Sequence, residues 1–390
     1  MIELLQESQH PMARIKVIGV GGAGGNTVNS IIDSGYSGIE YIVANTDSQA
    51  LEHSKADYKI QLGVKSTKGL GAGANPEVGR RAAEEDIDKV LEIIGDADIV
   101  FLTGGMGGGT GSGALPVIAR ALKERGILTI AVVTKPFAFE GKRRASIAEA
   151  AIDALKKDVD TLIVIPNQKL MDAVDQHVSM IDAFATINNV LGQSVKGISD
   201  IITKPGHINV DFADVKTIMQ SRGIAVMGTA RATGPNRAIE AAQHAIASPL
   251  LENMSIQGAQ GILLNITGGK DLGLHEISQV ASVMHDQAHA HAHIIIGAVI
   301  DESMASDLAV TLIATGFEQA AKAQQTEQKE VKPAGAVRAD DHLAAKHASE
   351  SGVRASELSC PIVNEPLAAI DTTDLDTPAF LRKDASKSTH

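Results

Sequence analysis

Gly104-Gly-Met-Gly-Gly-Gly-Thr-Gly-Ser-Gly113 is the stretch of sequence that decides how this chain folds. It follows a strand-like run, Ile99–Thr103, and precedes a helical pattern. Seven of its residues are glycine. Each glycine costs roughly 0.5–1 kcal/mol relative to alanine in ordered structure, so an ordinary turn would not retain so many. Glycine lets backbone N–H groups approach phosphate oxygens closely, and Thr110 and Ser112 add hydroxyl donors. The stretch therefore predicts a phosphate-binding loop between a strand and a helix.

A second glycine-rich loop, Gly19–Asn26, also lies between a strand-like run and a helical pattern. Gly19, Gly21 and Gly24 fit G-x-G-x-x-G with the acidic Asp47 downstream, which is the dinucleotide-binding pattern. A dinucleotide-binding oxidoreductase would use this loop but would leave the other one without a role, whereas two such loops suit a nucleotide with several phosphates. A nucleotide-binding scaffold without turnover is a further alternative. No P-loop lysine follows either cluster, so backbone N–H groups, a divalent metal and distant side chains must meet the phosphate charge.

Strand-like and helical runs alternate along the first part of the chain, which predicts a parallel sheet with helices on both faces. The strand candidates are Ile15–Val20, Tyr41–Asn45, Ile99–Thr103, Ile127–Thr134 and Leu162–Ile165, and the helical patterns include Pro76–Ile94 and Glu140–Lys157. A long helix is predicted from Ser179 to Thr203, because apolar residues recur there at spacings of three and four. A further set of short strands and helices follows, up to Gly316.

These patterns predict an α/β protein with a Rossmann-like parallel-sheet domain, a long central helix, a smaller second α/β domain and a disordered C-terminal tail. The predicted parts are a flexible arm at 1–12, a nucleotide-binding domain at 13–178, the central helix at 179–205, the second domain at 206–317, a disordered linker at 318–370 and a terminal peptide at 371–390. The linker prediction rests on its Ala, Glu, Gln, Lys and Ser content, which lacks a sustained apolar period.

Composition excludes several classes of function. The chain has 390 residues, a formal net charge of −12 and 3% aromatic residues, which argues against nucleic-acid binding. No run is long and apolar enough to cross a bilayer, and no export leader opens the sequence. The single cysteine, Cys360, cannot form an internal disulfide. We therefore expect a cytoplasmic protein without direct membrane insertion.

Several stretches resemble the sequence blocks of one family. They are KVIGVGGAGGN at 16–26, NTD at 45–47, TKGLGAGANPEVGR at 67–80, AVVTKPFAFEGKRR at 131–144, NVDFADV at 209–215 and SPLLE at 248–252. With GGMGGGTGSG, they are similar to the tubulin/FtsZ superfamily and, within it, to the FtsZ family of bacterial division GTPases. The resemblance covers about residues 12–317. It implies a cytoplasmic GTPase at the mid-cell division ring that polymerises head to tail, hydrolyses GTP to GDP and uses Mg²⁺.

The resemblance also implies which residues bind GTP or GDP. Those around the phosphates are Gly21, Gly22, Ala23, Gly24, Gly25, Asn26, Asn45, Ala72, Gly73, Gly105, Met106, Gly107, Gly108, Gly109, Thr110 and Gly111. Glu140 is expected to take the ribose hydroxyls, with Arg144 one helical turn away and Asn167 also on the sugar side. Phe184 is expected to pack on guanine and Asn188 to read its edge, although many relatives carry Asp at or beside Asn188.

The acidic residues Asp211 and Asp214 follow the long helix. They could simply cap the next helix. The resemblance instead assigns them, with Asn209, to the FtsZ synergy loop, which acts on the nucleotide of the neighbouring subunit. In that role they polarise the attacking water and hold a cation; no separate set of metal-ligating residues is assigned.

Two further features lie near the C-terminal end of the sequence. Residues 374–383, with the apolar Leu375, Pro378, Phe380 and Leu381, resemble the FtsZ peptide that binds membrane-tethering partners such as FtsA and ZipA. His289, His291 and His293 alternate before a strand, which permits metal ligation, but a solvated rim is the favoured interpretation.

Overall fold

The computed structural model describes residues 13–36, 38–172, 178–203, 210–220, 223–251 and 256–317. The strands in these residues are β1 (Ile15–Val20), β2 (Ile39–Asn45), β3 (Tyr58–Gln61), β4 (Ile99–Gly105), β5 (Leu128–Lys135), β6 (Thr161–Pro166), β7 (Gly223–Thr233), β8 (Gly261–Gly268), β9 (His293–Ile300) and β10 (Asp307–Thr315). The helices in the same residues are α1 (Gly21–Asp33), α2 (Ser48–Glu52), α3 (Val64–Thr67), α4 (Pro76–Ile94), α5 (Thr110–Glu124), α6 (Lys142–Leu155), α7 (Asn167–Asp172), α8 (Met180–Thr203), α9 (Phe212–Met219), α10 (Arg237–Ile246) and α11 (Leu274–Gln287).

The strands form one sheet in the order β3-β2-β1-β4-β5-β6-β7-β10-β8-β9. The pairs from β3 to β6 are all parallel, as a strand–helix alternation demands. Chain order reverses direction between β1 and β4, because β2 and β3 lie on one side and β5 and β6 on the other. In open α/β sheets, ligands bind beyond the carboxyl ends of the strands at such a reversal.

The second half of the sheet is mixed. Strand β10 runs antiparallel to both β7 and β8, while β9 is parallel to β8. The halves join where Thr161–Ile163 of β6 pair in parallel with Gly223–Ala225 of β7. The two predicted domains therefore share one sheet within the described residues.

Helices cover both faces of the sheet and create separate cores. One apolar cluster places α4, α5 and α6 against one face of the first half of the sheet. A second cluster lies on the opposite face and joins α1, α8 and α9 to strands of both halves. A third packs α10 and α11 on the second half. Along β1, for example, Val17 belongs to one core and Ile18 to another, because successive strand side chains point to opposite faces.

Helix α8 links the two halves of the molecule. Its buried stripe includes Ile187, Leu191, Val195 and Ile198, at the predicted spacings of three and four. Near its C-terminal end, the Nδ2 of Asn265 in β8 donates to the Gly197 carbonyl at 3.1 Å. The helix thus reaches from the first half of the sheet to the second.

The α/β fold class predicted from the sequence is confirmed, whereas several details differ. The helix expected to start at Glu140 begins at Lys142, because Ala138–Glu140 form a separate 3₁₀ turn and Gly141 has φ +95°, outside helical geometry. Short elements such as β3 and α7 were not predicted, because four to six residues are too few to show a clear hydrophobic period.

The predicted arm at 1–12 and the tail from 318 onward lie outside the described residues, and the domain boundaries stay predictions. No helix in the described ranges is long and apolar enough to cross a membrane.

Candidate functional site

A cleft of about 370 Å³ lies beyond the carboxyl ends of β1 and β4, at the reversal of strand order. The loop after β1 opens helix α1, and the loop after β4 opens helix α5. Both helix N-termini therefore direct unpaired N–H groups and the positive ends of their dipoles toward the loops, which favours an anion. The two glycine-rich stretches singled out in the sequence meet in this one cleft.

The two glycine loops contact each other through their backbones. A Cβ atom at Gly21, where φ is +73°, would lie 3.1 Å from the Gly111 nitrogen. A Cβ atom at Gly105 would lie 2.8 Å from the Cβ of Ala23. The Gly107 N–H donates to the Ser112 Oγ at 2.9 Å, which holds the second loop in its turn. Cβ atoms at Gly21 and Gly105 would crowd the opposite loop, so glycine is what lets the two loops approach this closely.

A third loop, formed by the small residues of 69–75, packs on the second glycine loop. A Cβ atom at Gly109 would lie 2.8 Å from the Cβ of Ala72 and 2.9 Å from the Asn75 nitrogen. The Asn75 side chain accepts the Glu77 N–H at 3.0 Å and so caps α4, which Pro76 opens. Loop 69–75 is therefore held beside the end of the cleft that the glycine loops form.

Polar side chains line the part of the cleft expected to hold the sugar. One carboxylate oxygen of Glu140 accepts the Phe137 N–H at 2.9 Å, and the other forms an ion pair with Arg144. The pair forms although Glu140 precedes the helix that carries Arg144. Asn167 is buried, and its Oδ1 has no hydrogen-bond partner in the described residues. A buried acceptor without a partner is costly, so this oxygen fits a hydroxyl or amine of a bound ligand.

An aromatic cluster marks the other end of the cleft. The Phe184 ring is 40% exposed and meets the Phe137 ring edge-on, with centroids 5.4 Å apart. One turn along α8, the Asn188 Oδ1 accepts a hydrogen bond from the Thr27 hydroxyl at 3.3 Å. A partly exposed ring beside an amide can stack on a base and hydrogen-bond its edge.

Most residues predicted for the site line this cleft. They are Gly21, Gly22, Ala23, Asn26, Gly105, Met106, Gly108, Gly109, Thr110, Gly111, Glu140, Arg144, Asn167, Phe184 and Asn188. Their roles toward a nucleotide stay predictions. Six others, Gly24, Gly25, Asn45, Ala72, Gly73 and Gly107, are not part of the lining.

Packing accounts for several of the residues outside the lining. A Cβ atom at Gly24 would lie 2.6 Å from the Thr103 carbonyl oxygen, so this glycine lets α1 approach β4. A Cβ atom at Gly107 would lie 2.8 Å from the Arg144 carbonyl oxygen. Asn45 is buried, and its Oδ1 accepts the Asp47 N–H at 3.3 Å, which shapes the turn after β2.

Sequence reasoning missed some lining residues, namely Val20, Thr27, Thr134, Pro136, Ile187 and Leu191. Thr134 lies near the carboxyl end of β5, next to β4, so the rule that ligands bind at carboxyl ends could have found it. No sequence pattern marked Ile187 and Leu191 as site residues, because apolar residues on one face of a helix are typical of the hydrophobic core.

The acidic pair lies past the other end of α8. The Asp211 Oδ1 accepts the Ala213 N–H at 3.4 Å and caps α9, as the capping alternative requires. Asp214, in the first turn of α9, is exposed, and its carboxylate has no partner in the described residues. Asn209 lies outside the described residues.

Of the three alternating histidines, His289 and His291 precede β9 and His293 is its first residue. The rings of His289 and His291 are 5.7 Å apart, and the His291 N–H donates to the His289 Nδ1 at 3.2 Å. Among the residues that the structure describes, no three His, Cys, Asp or Glu side chains are grouped so as to hold a metal ion.

Comparison with known proteins identifies the class first. Residues 14–175 match the family model described as the Tubulin/FtsZ family, GTPase domain, so this part of the chain is a tubulin-type GTPase domain, a class whose members bind and hydrolyse GTP. Residues 223–318 match the FtsZ family, C-terminal domain. Two FtsZ structures from M. jannaschii, an empty dimer and a mutant, each share 44% identity and a TM-score of 0.76 with this chain. The matches cover 80% and 79% of this chain and 90% and 92% of theirs. The chain belongs to the FtsZ family.

More distant structures share the fold alone. CetZ2 from Haloferax volcanii, solved as a GTPγS-bound protofilament, is 21% identical with a TM-score of 0.66 over 81% of this chain and 99% of its own. CetZ1 from the same organism, a GDP-bound monomer, is 23% identical with a TM-score of 0.68 over 81% of this chain and 100% of its own. The family assignment leaves no support for the oxidoreductase alternative.

Proposed function

We propose that this protein is the polymerising GTPase of bacterial cell division, which forms the septal ring and hydrolyses GTP between head-to-tail subunits. The observation that carries the proposal is the placement of two sites about one helix. Phe184 and Asn188, near the N-terminal end of α8, line the nucleotide cleft, whereas Asp211 and Asp214 follow its C-terminal end. Helix α8 has 24 residues. At 1.5 Å per residue it is about 36 Å long.

From Asn188 to Thr203 the helix rises by 15 residues, about 22 Å, and both acids follow Thr203 in the chain. We infer that they are too far from the cleft to act on the nucleotide of their own subunit. In a head-to-tail stack, the acid pair of one subunit would face the cleft of the next. Such a contact joins two different surfaces, so it repeats without closing and produces a filament. A relative solved as an FtsZ dimer supports self-association.

The proposed roles of the site residues match the requirements of phosphoryl transfer. The glycine loops and the α1 and α5 N-termini would bind the phosphates and stabilise charge on them. Glu140, Arg144 and Asn167 would orient the sugar, and Phe184 and Asn188 the base. Asp211 and Asp214 of the neighbouring subunit, with Asn209, would orient the attacking water, which is the main work that remains.

We include Mg²⁺ in the proposal as a cofactor. Glu140 is the only carboxylate that lines the described cleft, and Arg144 already pairs with it. The nucleotide phosphates, with the neighbour's Asp211 and Asp214, therefore fit the ion better than the cleft alone. When bound, Mg²⁺ would neutralise charge on the phosphates.

The first experiment is the GTPase rate per subunit as a function of protein concentration. We expect the specific activity to rise steeply where light scattering or pelleting detects polymer with GTP and not with ATP. A specific activity that stays constant down to concentrations without polymer would contradict hydrolysis between subunits.

A mixing experiment tests the same point with variants. Asp214→Ala should bind GTP normally and lose turnover, whereas Asp153→Ala, an exposed acid on α6, should behave as wild type. Arg144→Ala should bind GTP more weakly, so that it stays largely unloaded at a GTP concentration that saturates the wild type, but it keeps its acid pair. An equimolar mixture of the Asp214 and Arg144 variants should recover activity, because the second supplies Asp214 to the nucleotide of the first. If the mixture is only as active as the sum of its parts, catalysis lies within one subunit.

The terminal peptide at 374–383, which lies outside the described residues, is proposed to bind the membrane-tethering proteins FtsA and ZipA and so place the filament at mid-cell. A synthetic peptide should bind either protein, and Phe380→Ala should weaken binding strongly because it removes the largest apolar anchor. Equal binding by a scrambled peptide would refute this role.

A further inference from the structure

Thr46 links two of the loops around the cleft, although it does not line the cleft itself. It follows β2, and its side chain is fully buried. The Thr46 Oγ1 lies 2.7 Å from the Oγ1 of Thr110, and either hydroxyl could be the donor. Thr110 is the first residue of α5 and lines the cleft. In the described residues, each hydroxyl is the other's hydrogen-bond partner.

The backbone at Thr46 holds the third loop. The Thr46 carbonyl accepts the Gly71 N–H at 3.2 Å, and the Gly69 carbonyl accepts the Ser48 N–H at 3.1 Å. Asp47, which follows Thr46, and Leu70 of loop 69–75 form an isolated antiparallel β-bridge. Thr46 thus holds loop 69–75 through its main chain and the second glycine loop through its side chain.

A threonine hydroxyl carries one proton and can also accept hydrogen bonds. If Thr110 donates that proton to a phosphate oxygen, it cannot donate it to Thr46. The buried Thr46 hydroxyl must then be the donor, because a buried hydroxyl without a partner is costly. Thr46 would therefore leave the Thr110 proton free for the ligand and restrict the rotation of its hydroxyl.

We propose that Thr46 is a positioning residue for the GTPase reaction, whose buried hydroxyl donates to Thr110 and directs the Thr110 hydroxyl proton toward a nucleotide phosphate oxygen. This inference rests on the proposed binding of GTP in the cleft. It assigns to Thr46 no direct contact with the nucleotide. It also predicts that Thr46 matters only while Thr110 has its own hydroxyl.

The test is a double-mutant cycle on GTP affinity, measured with a fluorescent GTP analogue at concentrations below assembly. Thr46→Val keeps the shape and removes the hydroxyl, so affinity should fall about three- to tenfold, the usual value of one hydrogen bond. Thr46→Ser keeps the hydroxyl and should retain most of the affinity. In a Thr110→Val background, Thr46→Val should have almost no further effect, because its partner is gone.

The controls separate folding from positioning. Thermal unfolding without nucleotide identifies a variant that fails to fold. If Thr46→Val does so, the Thr46→Ser and Thr46→Ala pair, which differ by the hydroxyl alone, replaces it. Additive effects of Thr46→Val and Thr110→Val, or a loss of affinity in Thr46→Ser equal to that in Thr46→Val, would overturn the inference. If the wild-type protein fails to bind the GTP analogue, the proposed function itself fails.

Discussion

A Cβ atom at Gly79 would lie 2.3 Å from the carbonyl oxygen of Gly109, so helix α4 and the second glycine loop, residues 104–113, meet backbone to backbone. The contact repeats at the next turn, where a Cβ atom at Gly113 would lie 2.0 Å from the Pro76 carbonyl oxygen. The start of α4 follows loop 69–75 directly. The position of that loop beside the cleft therefore depends on glycine at a helix–helix contact.

Gly79→Ala should displace α4 from the second glycine loop, because the obstructing atoms belong to the main chain and cannot rotate away. We expect a loss of about 1–3 kcal/mol in the free energy of unfolding, together with weaker GTP binding. Denaturant unfolding and GTP titration measure the two effects. Gly258→Ala is the control, since its Cβ would make only an ordinary 3.5 Å contact with Phe317. Unchanged stability and affinity in Gly79→Ala would show that the helices separate freely.

Arg144→Ala should weaken GTP binding about tenfold or more, because it removes a charged donor from the cleft and leaves Glu140 without its ion pair. The neighbouring Arg143 is exposed, has no partner in the described residues and does not line the cleft. Arg143→Ala should therefore bind GTP as the wild type does. Equal losses in both variants would indicate a general effect of positive charge on this helix.

Asn188→Asp should increase the affinity for GTP about fivefold, because a carboxylate accepts the guanine N–H groups with charge assistance. The Thr27 hydroxyl lies 3.0 Å from the Ala23 carbonyl and 3.3 Å from the Asn188 Oδ1, so it can turn its single proton toward an Asp carboxylate at this position. Inosine triphosphate, which lacks the exocyclic amine, should gain less. Asn189→Asp is the control, since the Asn189 side chain accepts from Ser30 and does not line the cleft. A gain for GTP no larger than for inosine triphosphate would contradict a base-reading role.

Arg237→Ala should destabilise the second half of the sheet by about 2 kcal/mol, because it removes a buried guanidinium that donates to two carboxylates and one backbone carbonyl. The buried Arg237 donates to Glu276 at 2.6 Å, to Asp271 at 2.8 Å and to the Ser306 carbonyl at 2.6 Å. The more exposed Arg231–Asp307 pair provides the control, and Arg231→Ala should cost less than about 1 kcal/mol. Denaturant unfolding at pH 7 compares the two losses.

The Arg237 effect should also depend on pH. The Arg237 hydrogen bond lowers the pKa of Glu276 below its ordinary 4.5, with help from the Gly273 N–H and against the effect of burial. A carboxylate whose pKa is lower in the folded state contributes stability above the unfolded pKa and loses it as pH falls through the folded pKa. The difference between wild type and Arg237→Ala should therefore be largest above pH 4.5 and shrink below it. A difference that grows on acidification would contradict this pairing.

Long periodic elements were predictable from the sequence because their signal is local. Helix α4 has the predicted bounds, Pro76–Ile94, since an Asn–Pro start and an apolar period mark both its beginning and its face. Strand β1 likewise agrees residue for residue. Glu140 was wrongly predicted to begin the helix that starts at Lys142, because spacing in sequence does not reveal the backbone break at Gly141.

By itself, the sequence determined the α/β class and the glycine loops, because glycine content and apolar period are properties of neighbouring residues along the chain. Only the tertiary structure decided which of those glycines line the cleft, as Gly21 does, and which let elements pack, as Gly24 does against Thr103. The tertiary structure likewise decided the role of Thr46, because its hydroxyl contacts Thr110, which is 64 positions away in the sequence. Whether a Cβ atom or a hydroxyl meets a ligand or another backbone depends on elements that are distant in sequence, and folding alone brings those together.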